Sequence, residues 1–177
     1  MTGVDDDSVS IRAESPGDEE AVDVVVREAF LQQFGSDGEV GLVRTLRERG
    51  ELIPELTLVA ESGGRILGFI AFSEVEVDGE RVGGLGLAPV AVMPERQRLG
   101  IGEMLIRSAL DRAASLGWRF VVVLGHGQYY SRFGFEPAAP RGLRGAYGDG
   151  PSWMVVPLAN HGLLCGTARP FASDQRP

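Results

Sequence analysis

The sequence contains no lysine; all 17 of its basic side chains are arginine. A Walker A phosphate loop needs a lysine beside its Ser/Thr, so that nucleotide site is excluded. A pyridoxal-phosphate Schiff base and a Ser-x-x-Lys acyl-enzyme fall for the same reason. A coding bias toward Arg, Gly and Ala accounts for the gap, and the exclusions stand whatever its origin.

Thiols and imidazoles are also scarce. Cys165 is the single cysteine, which removes any intrachain disulfide and any cysteine zinc cluster. His126 and His161 are the only histidines, so a three-histidine metal site is out and no metal is expected. Long apolar runs are missing, with stretches such as Val121–Leu124 among the longest, and no membrane span or membrane partner is expected. The first residues, Met-Thr-Gly-Val-Asp-Asp-Asp, lack the basic and apolar regions of a signal peptide, and a cytoplasmic protein is the expectation. Net charge is −8, of which residues 1–20 supply −6. An acidic chain without a basic stripe is not built for nucleic acid.

What is present reads as one domain over 9–158, preceded by an acidic tail at 1–8 and followed by an extension at 159–177. Val9–Arg12 reads as a strand, Asp18 to about Phe30 as a helix, and about Glu39–Arg49 as a second helix. Thr57–Glu61 and Arg65–Val77 form a hairpin, and another strand ends near Val92. Pro94 stops that strand. A helix follows from about Gly100 to Leu116, its apolar stripe made by Ile101, Leu105, Ala109 and Ala113 and its end by Gly117. The continuously apolar Phe120–Leu124 is a buried strand, so strand, helix and strand imply a parallel pair in a covered sheet and an α/β (α+β) fold. A short helical segment near Tyr129–Phe133, a strand around Phe135, a Gly/Pro-rich loop at 137–151 and a strand at Trp153–Leu158 complete the domain. That loop, with Arg141, Arg144, Tyr147 and Asp149, either borders an acceptor pocket or merely connects.

The turn from Val90 to Gly102 is the most informative stretch. Free N–H groups at a helix start attract anions, and glycines let a phosphate approach, with Arg96 and Arg98 adding positive charge. The same turn could simply pack helix on sheet. A Rossmann site fits poorly, because Gly100-x-Gly102 is followed by Leu105 where a third glycine belongs.

Gln97-x-x-Gly100-x-Gly102 after Val92-x-Pro94 resembles motif A of the GNAT superfamily of N-acetyltransferases. Tyr130-Ser131-Arg132-Phe133-Gly134-Phe135 is similar to the family's Tyr-x-x-Phe/Leu-Gly-Phe segment after the fifth strand. The surrounding run also resembles a bacterial branch of predicted acetyltransferases. The resemblance implies a mixed, mostly antiparallel sheet with a parallel pair at the acetyl-CoA-binding strand, flanked by helices. It implies transfer of an acetyl group from acetyl-CoA to a small-molecule or peptide amine by direct attack in a ternary complex. A non-catalytic acyl-CoA-binding or sensing module is the alternative, and a homodimer is the default assembly.

By that resemblance the backbone of Val90, Ala91 and Val92 holds the pantetheine. Gln97, Arg98, Leu99, Gly100, Ile101, Gly102 and Glu103 form the pyrophosphate cradle. Tyr130 is the general acid toward the CoA thiolate, against the plainer role of a packing tyrosine; the motif spacing selects it over its neighbour Tyr129. Two residues are candidates for the base. Glu74 alternates with Val75 on a strand, where a solvated face is the simpler account, and His126 follows the apolar strand. The branch implies an acid at position 126, so the histidine is a departure. His161 and Cys165 read as structural.

Overall fold

The computed structural model describes residues 8–146, 148–158 and 166–170, with the backbone alone at Gly166, Arg169 and Pro170. Tyr147, His161, Cys165 and the acidic residues before Ser8 lie outside them. Along the chain run β1 (Ser10–Ala13), α1 (Glu19–Phe34), α2 (Gly38–Glu48), β2 (Leu58–Ser62), β3 (Arg65–Val77) and β4 (Glu80–Val92). Then come α3 (Ile101–Ser115), β5 (Phe120–Leu124), α4 (Gly127–Tyr130), β6 (Glu136–Pro137), β7 (Leu143–Gly145), β8 (Trp153–Pro157) and β9 (Gly166–Pro170). The main sheet order is β1-β2-β3-β4-β5-β8-β6. Its pairings are antiparallel except β4–β5, and off this path β7 and β9 also pair in parallel.

Each face of the sheet takes one main helix because each helix has one apolar stripe. Val22, Val25, Val26 and Ala29 of α1 join Val40 and Val43 of α2 over Val59, Phe69, Ala71 and Ala91. On the opposite face Ile101, Leu105, Ile106, Ala109 and Ala113 of α3 cover Leu58, Ala60, Ile70, Phe72, Leu85 and Leu87. Phe69 and Ala71 face α1 while Ile70 and Phe72 face α3, the period of two expected of a strand buried on both sides.

Three boundaries depart from expectation. Helix α1 continues one turn past Phe30 and stops where Gly35 turns left-handed at φ 66°, its N–H bonding the Leu31 carbonyl at 3.0 Å. The loop at 137–151 contains the short strand β7, anchored by the fully buried Leu143. Part of the expected extension joins the sheet, since β9 pairs with Val75–Val77 of β3, beyond the positions that β2 covers.

The β4–β5 junction positions the site. Only three pairs join the strands in parallel, Gly84 with Phe120, Leu85 with Val121 and Gly86 with Val122. A β-carbon on Gly84 would collide with the Phe120 ring, so a glycine is required for this close approach. Past Gly86 the partners change: Val123 and Leu124 pair with β8 alone, and the β3–β4 register slips between Ile70 and Phe72. That bulge re-aims β4, and the two strands part.

Candidate functional site

A cleft of about 450 Å³ fills the opening between β4 and β5. One wall comes from α1 and α2, with Ala29, Phe30, Gln33, Phe34, Glu39 and Leu42. Strand β4 gives Leu87, Ala88, Pro89, Val90 and Val92; the turn into α3 gives Gln97, Arg98 and Gly102. The opposite wall holds Val123, Leu124, Gly125, His126, Tyr129 and Tyr130. Phe30 packs with the α1-face cluster and both tyrosines with the α3-face cluster. The cleft therefore connects the two faces of the sheet.

Backbone alternation sorts the residues of β4. Met93 donates its N–H to the Leu67 carbonyl at 2.9 Å, on the β3 side. Successive residues of a strand direct their polar groups to opposite edges, so those of Val92 and Val90 face the opening and those of Ala91 face β3. Gln97 Nε2 donates to the Val92 carbonyl at 3.1 Å, which braces the turn and leaves Val90 with the free edge. Ala91 is instead buried beneath α1, away from the cleft.

The start of α3 leaves its first backbone N–H groups without side-chain caps. Arg98 and Gly100 both adopt left-handed backbone, φ 62° and 88°, which swings the chain into the helix with no side-chain cap on its first turn. The opening N–H groups of a helix have no intrahelical acceptor and carry partial positive charge. The side chains of this segment divide. Arg98 and Gly102 line the cleft, Ile101 is buried in the core, Leu99 is exposed, and Glu103 pairs with Arg107 at 2.9 Å. Leu99, Gly100, Ile101 and Glu103 thus offer backbone at the helix start and no side chain to the cleft. Arg96 is not among the lining residues.

The four-residue α4 brings both tyrosines to the cleft. Tyr130 lies against Gly125, where a β-carbon would collide with its ring, and meets Phe135 edge-on at 5.5 Å. Burial, followed by the charge of Tyr129, pushes the Tyr130 hydroxyl above the ordinary phenol range, so it keeps its proton. Tyr129 points to the cradle, its hydroxyl 2.7 Å from the position of a β-carbon on Gly102. Arg132 caps the Tyr129 ring at 4.6 Å and donates from Nε to the Tyr129 carbonyl at 3.3 Å. Burial raises the Tyr129 hydroxyl, outweighing the lowering by Arg132. Sequence spacing weighed Tyr129 only as a rival to Tyr130 for the acid, and gave no sign that its hydroxyl lies beside Gly102.

Of the candidate bases, His126 lines the cleft at the N-terminal boundary of α4. Glu74 does not. It lies opposite Leu85, in the closed part of the sheet, and its carboxylate stands 3.5 Å from Arg81. Among the described residues no group of His, Cys, Asp or Glu is arranged to hold a metal ion, and no helix is long and apolar enough to cross a membrane.

Residues 54–137 match the family described as Acetyltransferase (GNAT) domain. The chain is 39% identical over 155 residues to the uncharacterized N-acetyltransferase YhbS of Escherichia coli (strain K12), covering 86% of this chain and 89% of that one. The crystal structure of E. coli YhbS in complex with CoA superposes with a TM-score of 0.84 at 36% identity, over 92% of this chain and 89% of that one. A GNAT family acetyltransferase from Brucella melitensis in complex with acetyl-CoA gives 0.81 at 34% identity, over 96% and 99%. Sheet, cleft and sequence agree: the chain belongs to the GNAT family of N-acetyltransferases.

Proposed function

We propose that this protein transfers an acetyl group from acetyl-CoA to an amine by direct attack in a ternary complex. The observation that carries this is the parting of β4 and β5. It leaves the Val90 edge, the start of α3 and Tyr130 facing one cleft open to both faces of the sheet. Two relatives above 30% identity hold CoA or acetyl-CoA in their crystals, in keeping with that assignment.

The site's chemistry fits the donor. The N–H groups of Leu99–Glu103 and the Arg98 guanidinium bind the pyrophosphate. The Tyr129 hydroxyl adds a donor at the same place. The backbone groups of Val90 pair with the pantetheine as a further strand would, and Ala91 takes no part. Acetyl-CoA supplies the activated thioester. His126 takes one proton of the incoming ammonium, freeing the nitrogen lone pair to form the C–N bond; as the C–S bond breaks, the nitrogen gives its second excess proton to water and is left as the neutral amide. Tyr130 gives its proton to the departing sulfur and is reprotonated from solvent. The buried phenol suits this role, because it remains a donor across the working pH range.

The test is thiol release from acetyl-CoA across a panel of amines, with the products weighed by mass spectrometry. Equal amounts of free CoA and N-acetylated amine are expected. Tight binding of acetyl-CoA with no amine-dependent release would instead assign a binding module.

A further inference from the structure

The donor-binding groups occupy the α3 side of the cleft, and its α1–α2 end has a different chemistry. Glu39, in the first turn of α2, is the single carboxylate among the lining residues. It is half-buried. Most half-buried acids, Glu14, Asp18, Glu51, Glu61, Glu74, Glu103 and Glu136, stand within 4.0 Å of an arginine. Among the described residues Glu39 has no such partner, nor do Glu19 and Glu76, and of the three only Glu39 lines the cleft. A position near a helix start favours a carboxylate by a fraction of a kcal/mol, but does not supply the counter-ion that most half-buried acids of this protein have.

The same wall of the cleft carries Ala29, Phe30, Phe34 and Leu42. Phe30 and Phe34 stack at 5.5 Å with their rings tilted by 31°. Phe34 is 57% exposed, as is Leu124 across the cleft at 61%. Two large apolar side chains left in solvent at the mouth of one cleft ask for an apolar occupant. A carboxylate lining the same cleft as two aromatic rings asks for a cation, since ion pairing and the ring quadrupoles both attract an ammonium and repel an anion.

We propose that this end of the cleft is the acceptor subsite, selecting a small primary amine whose ammonium is carried on an apolar alkyl or aryl body. Glu39 captures the ammonium, and Phe30, Phe34 and Leu124 enclose the body. Acidic and strongly hydrophilic amines are disfavoured. The subsite presupposes the acetyl-transfer reaction above, and the experiment separates the two.

Initial rates are measured with 2-phenylethylamine, hexylamine, ethanolamine and glycine, on wild type, Glu39→Gln, Glu39→Asp and Phe34→Ala. The apolar amines are expected to exceed ethanolamine and glycine at least ~10-fold in kcat/KM. Glu39→Gln raises the KM for 2-phenylethylamine ~10-fold, and Glu39→Asp restores most of the loss. Acetyl-CoA affinity by calorimetry is the check on folding, and Phe34→Ala, at an exposed position, tests the apolar wall independently. Calorimetry with phenylethyltrimethylammonium, which cannot be acetylated, reports the subsite without turnover. Glu39-dependent binding of that cation sustains the subsite even if no amine is acetylated. Equal rates for apolar and hydrophilic amines, or a KM unmoved by Glu39→Gln, overturn it while leaving the transferase reaction intact.

Discussion

The Tyr129 hydroxyl stands 2.7 Å from the point a β-carbon on residue 102 would occupy, so Tyr129 and Gly102 share one volume at the start of α3. Gly102→Ala is therefore expected to lose about 1–3 kcal/mol to overpacking, although alanine usually favours a helix over glycine. Tyr129→Phe relieves the conflict, because the next ring atom, Cζ, is 3.9 Å from the same point. Thermal unfolding of the two single variants and the double variant checks this. Gly102→Ala should destabilise the wild type and stabilise the Tyr129→Phe background. The larger Gly102→Arg should abolish acetyl-CoA binding.

Adjacent tyrosines are expected to fail in different ways. Tyr130→Phe removes the proton donor and should lower kcat by about 100-fold while acetyl-CoA affinity is retained. Tyr129→Phe should show its loss in the KM for acetyl-CoA. Steady-state kinetics on both variants separates the roles, and equal effects on both constants would contradict the division.

The pH profile carries a sign of its own. A phenol whose pKa is raised by burial stays protonated to higher pH than a free one. The wild-type rate should therefore rise as the amine deprotonates, without a downturn from Tyr130 near pH ~10. Measurement of kcat to the alkaline limit of stability tests it.

Gly84 supports the site from a distance. A β-carbon there would meet the Phe120 ring and, at 2.9 Å, Val75 Cγ2. Gly84→Ala should cost about 1–3 kcal/mol and weaken acetyl-CoA binding by spreading β4 from β5. Urea unfolding with calorimetry on the same variant reads both effects.

Near the N-terminus Arg12 ties the start of α1 to β2, pairing with Asp18 at 2.6 Å and with Glu61. The Arg12 hydrogen bonds, helped by the Ser15 N–H, hold the Asp18 carboxyl below its usual range. A depressed carboxyl stabilises the fold above its unfolded pKa of ~3.9, and the increment is lost as pH falls through the lower folded value. Arg12 is about one-third exposed, so Arg12→Ala should cost about 1 kcal/mol or less at neutral pH. Denaturation at neutral and strongly acidic pH should show the difference between wild type and variant shrinking in acid.

Local pattern made much of the fold legible. The Arg65–Val77 and Phe120–Leu124 strands match expectation residue for residue, because turn residues bound one and an unbroken apolar run, mostly β-branched or aromatic, fills the other. The α3 stripe was equally clear. Strand β9 was not, since Gly-Thr-Ala-Arg-Pro has no alternation and its pairing with β3 is made nearly a hundred residues away in sequence. The turn into α3, proposed to hold the pyrophosphate, could be singled out because it is one continuous segment. The proposed acceptor wall could not, because Phe30 and Glu39 come to line one cleft with Tyr130 only when α1 and α2 cover the sheet. For Glu74 the alternation is real, but alternation alone does not give the register, which places it where β4 and β5 are closed.

The most direct test is a single assay with purified protein, acetyl-CoA and 2-phenylethylamine, following free thiol and acetylated amine together. Amine-dependent release of one CoA per acetamide, collapsing in Tyr130→Phe while acetyl-CoA still binds, is the predicted result. Full turnover in Tyr130→Phe would contradict its role as the acid, and acetyl-CoA binding without acetylation of any amine would contradict the transferase account itself.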